Sequence, residues 1–176
     1  MATSAPDQLS PRAREIVAAA RELLEQDGAA GLSMRGVAER VGIRAPSIYK
    51  HLPDKEALED AIISDGFAEL AAVFAPALAA RDPLSELAAA YRRFASAHPH
   101  LYRLMTERPL RRERLAPGAE EAAAGPVIAA VGGDEHLARA VWAFAHGMTI
   151  LELNGRFPPG ADLDAAWERG IAAFRG

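Results

Sequence analysis

Apolar residues recur along this chain at the three- and four-residue steps of helix faces, and strand-like β-branched runs are scarce. The first stripe is Ile16, Ala19, Ala20, Leu23 and Leu24. Ser10 opens it as N-cap, Pro11 sits where proline costs nothing, and Gly28 closes it. A second stripe, Met34, Val37, Ala38 and Val41, falls at i, i+3, i+4 and i+7 behind Ser33, another N-cap. Gly42 follows where the chain must turn, and Ile43 plugs the corner. A short helix from about Ala45 to His51 then buries Ile48 and one face of Tyr49. Pro53 stops it and extends Leu52. Helix, glycine turn, helix is the shape whose second helix enters a DNA major groove.

The remaining patterns are also helical. Asp54 caps one long helix to about Leu78, with Leu58, Ile62, Leu70, Phe74 and Ala77 along one side and Ile63 and Phe67 widening it. Asp82-Pro83 opens another, carrying Leu84, Leu87, Ala88, Tyr91, Phe94 and Ala95, and His98-Pro99 breaks it. A short helix from Leu101 to about Glu107 turns Leu101, Leu104 and Met105 inward. Residues 115–131 read as partly helical around Pro117, Gly118, Gly125 and Pro126. From Asp134 to Phe157 the stripe is Leu137, Val141, Phe144, Met148 and Leu151, beside a small-residue stripe of Ala140, Ala143 and Gly147, then Ile150. Asp162 caps a last helix with Leu163, Ala166, Trp167, Gly170, Ile171 and Phe174. Residues 1–9 read as a loose polar tail. The expected fold class is all-α: a three-helix helix-turn-helix domain followed by a larger helical domain. Two apolar C-terminal helices predict a four-helix dimer interface, with Ala140, Ala143, Gly147, Ile150, Trp167 and Ile171 in it.

Charge sharpens this picture. The 176-residue chain has a net charge of −4, yet Ser33–His51 holds four cations (Arg35, Arg40, Arg44, Lys50) against Glu39 alone, a local +3. A basic island in an acidic protein is a localised nucleic-acid footprint, and it argues against general DNA packaging, which needs broad phosphate neutralisation. Arg12 and Arg14 are further phosphate candidates, with two solvated arginines as the alternative. With no cysteine, there are no disulfides or thiolate metal sites. The N-terminus lacks a signal-peptide core, and no stretch approaches the roughly 20 apolar residues of a span, so a cytoplasmic protein with no membrane partner is expected. No nucleophile elbow, phosphate loop or dinucleotide fingerprint is present. Nothing fixes a metal spacing among His98, His100, His146 and Glu152, so neither metal nor cofactor is expected, and no enzyme. The basic run Arg108–Arg114 reads as a solvated loop, with an anionic-ligand or extra DNA site as the alternative. Tyr91, Phe94, Tyr102, Met105, Trp142 and His146 are candidates for a small-molecule pocket, each with plain core as its alternative.

Residues 11–58 resemble the DNA-binding domain of TetR-family (TetR/AcrR type) transcriptional regulators. The resemblance is carried by Gly31-Leu32-Ser33, Arg35, Val37-Ala38, Val41-Gly42-Ile43, Ser47-Ile48-Tyr49, His51 and Lys55. Two departures stand out: Leu52 where the family often has an aromatic residue, and Arg44 where it often has a small hydroxyl residue. Further on, Trp142, His146-Gly147 and Gly155-Arg156-Phe157 resemble one C-terminal branch of the family, the Trp/His-Gly (WHG) type. The resemblance implies a homodimeric repressor that binds a palindromic double-stranded DNA operator and is released by an unknown small-molecule effector. It places DNA contacts at Ser33, Arg35, Arg44, Ala45, Ser47, Tyr49, Lys50, His51 and Lys55. It implies a DNA-binding domain over 10–55 with its motif at about 34–53, a connecting helix over 56–80, and a ligand-binding and dimerisation domain over 83–176. The rival reading is a small-molecule-binding or catalytic helical bundle that retains a DNA-binding fold.

Overall fold

Short polar residues and prolines mark where the helices of this chain begin. The computed structural model describes residues 9–175, so the predicted N-terminal tail falls, but for Leu9, outside the described residues. Ser10 Oγ accepts from the Ala13 amide at the start of α1 (Pro11–Gly31), with Pro11 in the first turn. Ser33 caps α2 (Met34–Arg40), and Asp54 caps α4 (Lys55–Phe74) through the Ala57 amide at 2.6 Å. Between them lies α3 (Ala45–Ile48). Asp82 caps α5 (Pro83–Ala97), and Pro99 opens α6 (Pro99–Thr106). After α7 (Ala119–Ala130), Asp134 and Asp162 cap α8 (Glu135–Leu153) and α9 (Leu163–Ala172). Each cap satisfies amides that the first turn leaves unpaired. Among the described residues there is no strand.

The sequence reading locates these elements and misses several details. Helix α1 breaks at Gly28 as expected, with φ 69°, then resumes briefly to Gly31. The regular part of α3 is one turn; a chain of tight turns then carries the backbone through His51, where the His51 amide bonds the Ile48 carbonyl at 2.9 Å. The long helix after Asp54 tightens at Pro76 into a 3-10 turn over Ala75–Ala79. Within residues 55–79 one 18-residue window does reach the mean hydropathy (1.5) of a membrane span, which amends the expectation that no stretch approaches one; 44% of that window is buried within the protein. On α8 the buried side is Ala138, Val141, Ala145 and Thr149, while Leu151, predicted inward, is exposed. The packed side of α8 is therefore turned away from the small-residue stripe.

The chain forms two compact units that do not follow its sequential order. One joins the described residues up to Phe67 to His98–Glu120; the other joins Ala68–Ala97 to the residues from Glu121 onward. In the first, α1 packs on α2 and α6, and α2 on α3. Its core includes Ile16, Leu24, Leu32, Val37, Ile48 and Leu58, with Val41 half-buried at the corner. Leu101 and Met105 of α6 approach α4 at Gly66, where a Cβ would stand 2.7 Å from the Met105 sulfur. Residues 98–120, which the sequence assigns to the second domain, pack with the first unit for this reason.

In the second unit, α5 packs on α8, α9 and the 3-10 turn. Arg92 of α5 bonds Glu152 of α8 through Nε at 2.9 Å and Asp164 of α9 through Nη1 at 2.6 Å. Trp167 Nε1 donates to the same Glu152 at 3.1 Å, and the Arg92 guanidinium lies over the Trp167 ring. The hydrogen bonds to Glu152, then those to Asp164, hold Arg92 above the ordinary guanidinium value.

Candidate nucleic-acid interface

The corner between α2 and α3 is closed by backbone geometry that only a few residues permit. Gly42 has φ 69°, a conformation that costs other residues because of their Cβ. Its amide bonds the Glu39 carbonyl at 3.1 Å, and the Ile43 amide bonds Ala38 at 2.9 Å, satisfying the end of α2. Ser33 Oγ accepts from the Gly36 amide at 3.1 Å, which leaves its O–H free to donate outward. Leu52 is buried, so the departure from an aromatic residue repacks the corner without opening it.

The cations of this module divide into two groups. Arg40 is bonded to Glu22 at 2.7 Å and Gln26 at 3.3 Å, fastening α2 to α1. Arg12 donates to the Val41 carbonyl at 3.1 Å and pairs with Glu15, so this phosphate candidate is engaged within the protein. Arg35, Arg44, Lys50 and His51 are exposed and make no ion pair or side-chain hydrogen bond among the described residues. Tyr49 is 51% exposed. Arg44 holds the N-cap position of α3 without a side-chain cap bond, as its departure from a small hydroxyl residue predicts. Ala45 and Ser47 are half-buried beside it. Lys55, at the start of α4, faces Glu59 at 3.7 Å.

Sequence reading missed what lies behind this surface. The basic run is neither a solvated loop nor an open anion site. Arg111 donates to one Asp60 oxygen through Nε at 3.0 Å and Nη2 at 2.8 Å, and Arg114 Nε stands 2.9 Å from the other, poorly aligned for a hydrogen bond. The hydrogen bonds to Asp60 come first among the causes that hold Arg111 above the ordinary guanidinium value. Arg108 donates to Glu59 at 2.8 Å, and Arg111 and Arg114 both reach Glu56. Beyond them the Ala116 amide bonds Ser64 Oγ at 3.0 Å. Residues 108–116 thus form a strap along α4. A signal existed: cations at 108, 111 and 114 match acids at 56, 59 and 60, both sets at helical steps.

The other candidates are more scattered. Tyr102 and Met105 are buried in the first unit, and Tyr91 and Phe94 in the second. Trp142, offered for the same pocket, is 52% exposed and stacks on His146 with ring centroids 5.9 Å apart. Trp167 and Ile171, offered for the dimer interface, are buried within the protomer. Ala140 and Ala143 are exposed, Gly147 and Ile150 half-buried.

Comparison with known proteins agrees with this geometry. Residues 16–62 match the family model for bacterial regulatory proteins of the tetR family. Residues 84–174, just over half of the chain, match the tetracyclin repressor-like C-terminal domain. The chain belongs to the TetR family. It is accordingly a DNA-binding transcriptional regulator with a helix-turn-helix head and a helical C-terminal domain, in a family that is not enzymatic. The TetR-family protein is 29% identical over 151 residues to the HTH-type transcriptional regulator Rv0681 of Mycobacterium tuberculosis, covering 80% of this chain and 69% of that one. Over 54 residues it is 41% identical to the class A tetracycline repressor of Escherichia coli, covering 31% of this chain and 25% of the repressor. A solved structure of a protein from Rhodococcus sp. RHA1 shares the fold at TM-score 0.78 and 27% identity, with 97% of each chain covered.

Proposed function

We propose that this regulator is a cytoplasmic homodimeric repressor that reads a palindromic operator and is released by a small molecule bound in its C-terminal domain. The observation that carries the DNA-reading part is the set of exposed, unpaired donors Arg35, Arg44, Lys50 and His51 around the α2–α3 corner. Arg35 and Lys50 read guanine edges in the major groove; Ser33, Arg44, Tyr49, His51 and Lys55 hold phosphates, with Ala45 and Ser47 against the groove. Repression is favoured by the resemblance of the head to a tetracycline repressor. The dimer face is the unpacked side of α8, where Ala140, Ala143, Gly147 and Ile150 line up between Trp142 and Leu151; among the described residues, nothing beyond the helix's own backbone and chain neighbours lies within 4 Å of a Cβ added at Gly147. Trp142 with His146-Gly147 and Gly155-Arg156-Phe157 supports the Trp/His-Gly branch. We read residues 10–55 as the DNA-contacting segment, 56–80 as the connecting helix, and 83–176 as carrying the effector site and the dimer face. Effector binding tilts α4 and changes the spacing of the two heads, through different affinities for the two arrangements.

The test is binding of the purified protein to the DNA beside its own gene, with a random duplex as control. Specific binding on the order of a thousandfold above random is expected at physiological salt. Lys50→Ala should lower operator affinity by about 1–3 kcal/mol while leaving random-duplex affinity nearly unchanged. An equal loss on both duplexes would reassign Lys50 to phosphate.

A further inference from the structure

Glu59 presents one carboxylate to two cations of different kinds. Its side chain is 7% exposed. Oε2 accepts from Arg108 Nη1 at 2.8 Å, while Oε1 faces Lys55 Nζ at 3.7 Å, beyond a hydrogen bond. Arg108 comes from the strap after α6; Lys55 opens α4 and is the residue assigned above to a DNA phosphate. A buried carboxylate left without a counter-charge is strongly unfavourable. Whether Arg108 stays on Glu59 therefore decides whether Lys55 is free to leave.

We propose that Arg108 is a positioning residue for DNA binding: by holding Glu59 it releases Lys55 from the protein's own carboxylate to a phosphate. The inference rests on the phosphate role of Lys55. The division of labour suits the two chemistries. A guanidinium is weakly hydrated and matches a buried carboxylate, while an ammonium on a flexible stem is a mobile point charge. Of the other three strap arginines, Arg111 and Arg114 are committed to Asp60 and Glu56, and Arg112 pairs with Glu120. Without Arg108, Lys55 becomes the counter-ion of Glu59 and is withheld from DNA.

The experiment measures affinity for a short random-sequence duplex across a salt series, because phosphate contacts are independent of sequence and set the slope of affinity against salt. The wild-type chain is compared with Lys55→Met, Arg108→Met, Glu59→Gln and the double variants Arg108→Met/Lys55→Met and Arg108→Met/Glu59→Gln. Lys55→Met is expected to lower the slope by about one per protomer bound. Arg108→Met should lower it by the same amount, adding Lys55→Met to it should cost nothing more, and Glu59→Gln should restore it. The single variant Glu59→Gln should bind with at least the wild-type slope, which keeps the test intact if Arg108→Met fails to fold. If Lys55→Met lowers the slope and Arg108→Met leaves it at the wild-type value, the proposal is wrong and the phosphate role of Lys55 stands. If Lys55→Met leaves the slope unchanged, that role falls and the proposal with it. A loss of affinity in Arg108→Met at unchanged slope, unrescued by Glu59→Gln, would make Arg108 merely structural.

Discussion

Gly170 shows how much one missing methyl group decides. A Cβ there would lie 2.0 Å from Phe144 Cζ and within 2.8 Å of both Cε atoms, inside the ring edge. The ring cannot easily swing aside, since its centroid sits 5.7 Å from that of Trp167 and 5.8 Å from that of Phe174. Gly170→Ala gains about 0.5–1 kcal/mol of helix propensity but overpacks this aromatic group at about 1–3 kcal/mol. Thermal unfolding should therefore show a net loss of up to about 2.5 kcal/mol. Glycine in the sequence marked the final stripe but not its neighbour, because which ring crosses a helix depends on an approach between segments far apart in the chain. The exposed donors that we propose face DNA lie in a more legible stretch: Arg35, Lys50 and His51 belong to a motif of unbroken spacing, and their exposure follows from the burial of Val37 and Ile48 on the opposite faces.

Caps act on whole elements, and the cap of α8 carries a pH signature. Asp134 Oδ1 accepts from the amides of His136 at 2.9 Å and Leu137 at 3.0 Å. The Leu137 bond, then the His136 bond, hold its carboxyl below the ordinary value of 3.8. Because the folded value is depressed, the contribution of ionised Asp134 is fully present above the unfolded value and disappears as pH falls through the folded one. Asp134→Asn keeps a good N-cap without the charge. It should unfold like the wild type at neutral pH and lose less stability on acidification below 3.8. Fluorescence of Trp142 and Trp167, on α8 and α9, reports the transition; an acid limb as steep as that of the wild type would assign the titration to another group. Caps were the most legible feature of the sequence, since Ser10, Ser33, Asp54, Asp82 and Asp162 all act locally. The rotation of α8 was less legible: Ala138, Ala145 and Thr149 are buried because α5 brings Arg92 to Glu152, and no periodicity within α8 records that partner.

Assembly belongs to the scale of the whole molecule. Ala143 is exposed on α8, away from the protomer core, so Ala143→Trp should leave helix content and melting of the protomer intact while turning a light-scattering dimer into a monomer. A variant that remains dimeric would move the interface off this face. The partition into two compact units was the least legible property at this scale. Sequence order suggests a head, a connector and a body, but the strap and α6 fold back onto the head through ion pairs that span about fifty residues of sequence. That arrangement bears on how regulators of this kind can be recombined. A chimaera that cuts the chain after Phe67 and grafts the head onto a foreign body would strand Glu59 and Asp60 without their arginines. A transplant that works must carry His98–Glu120 as a second graft, so the exchangeable part of this protein is discontinuous in its gene.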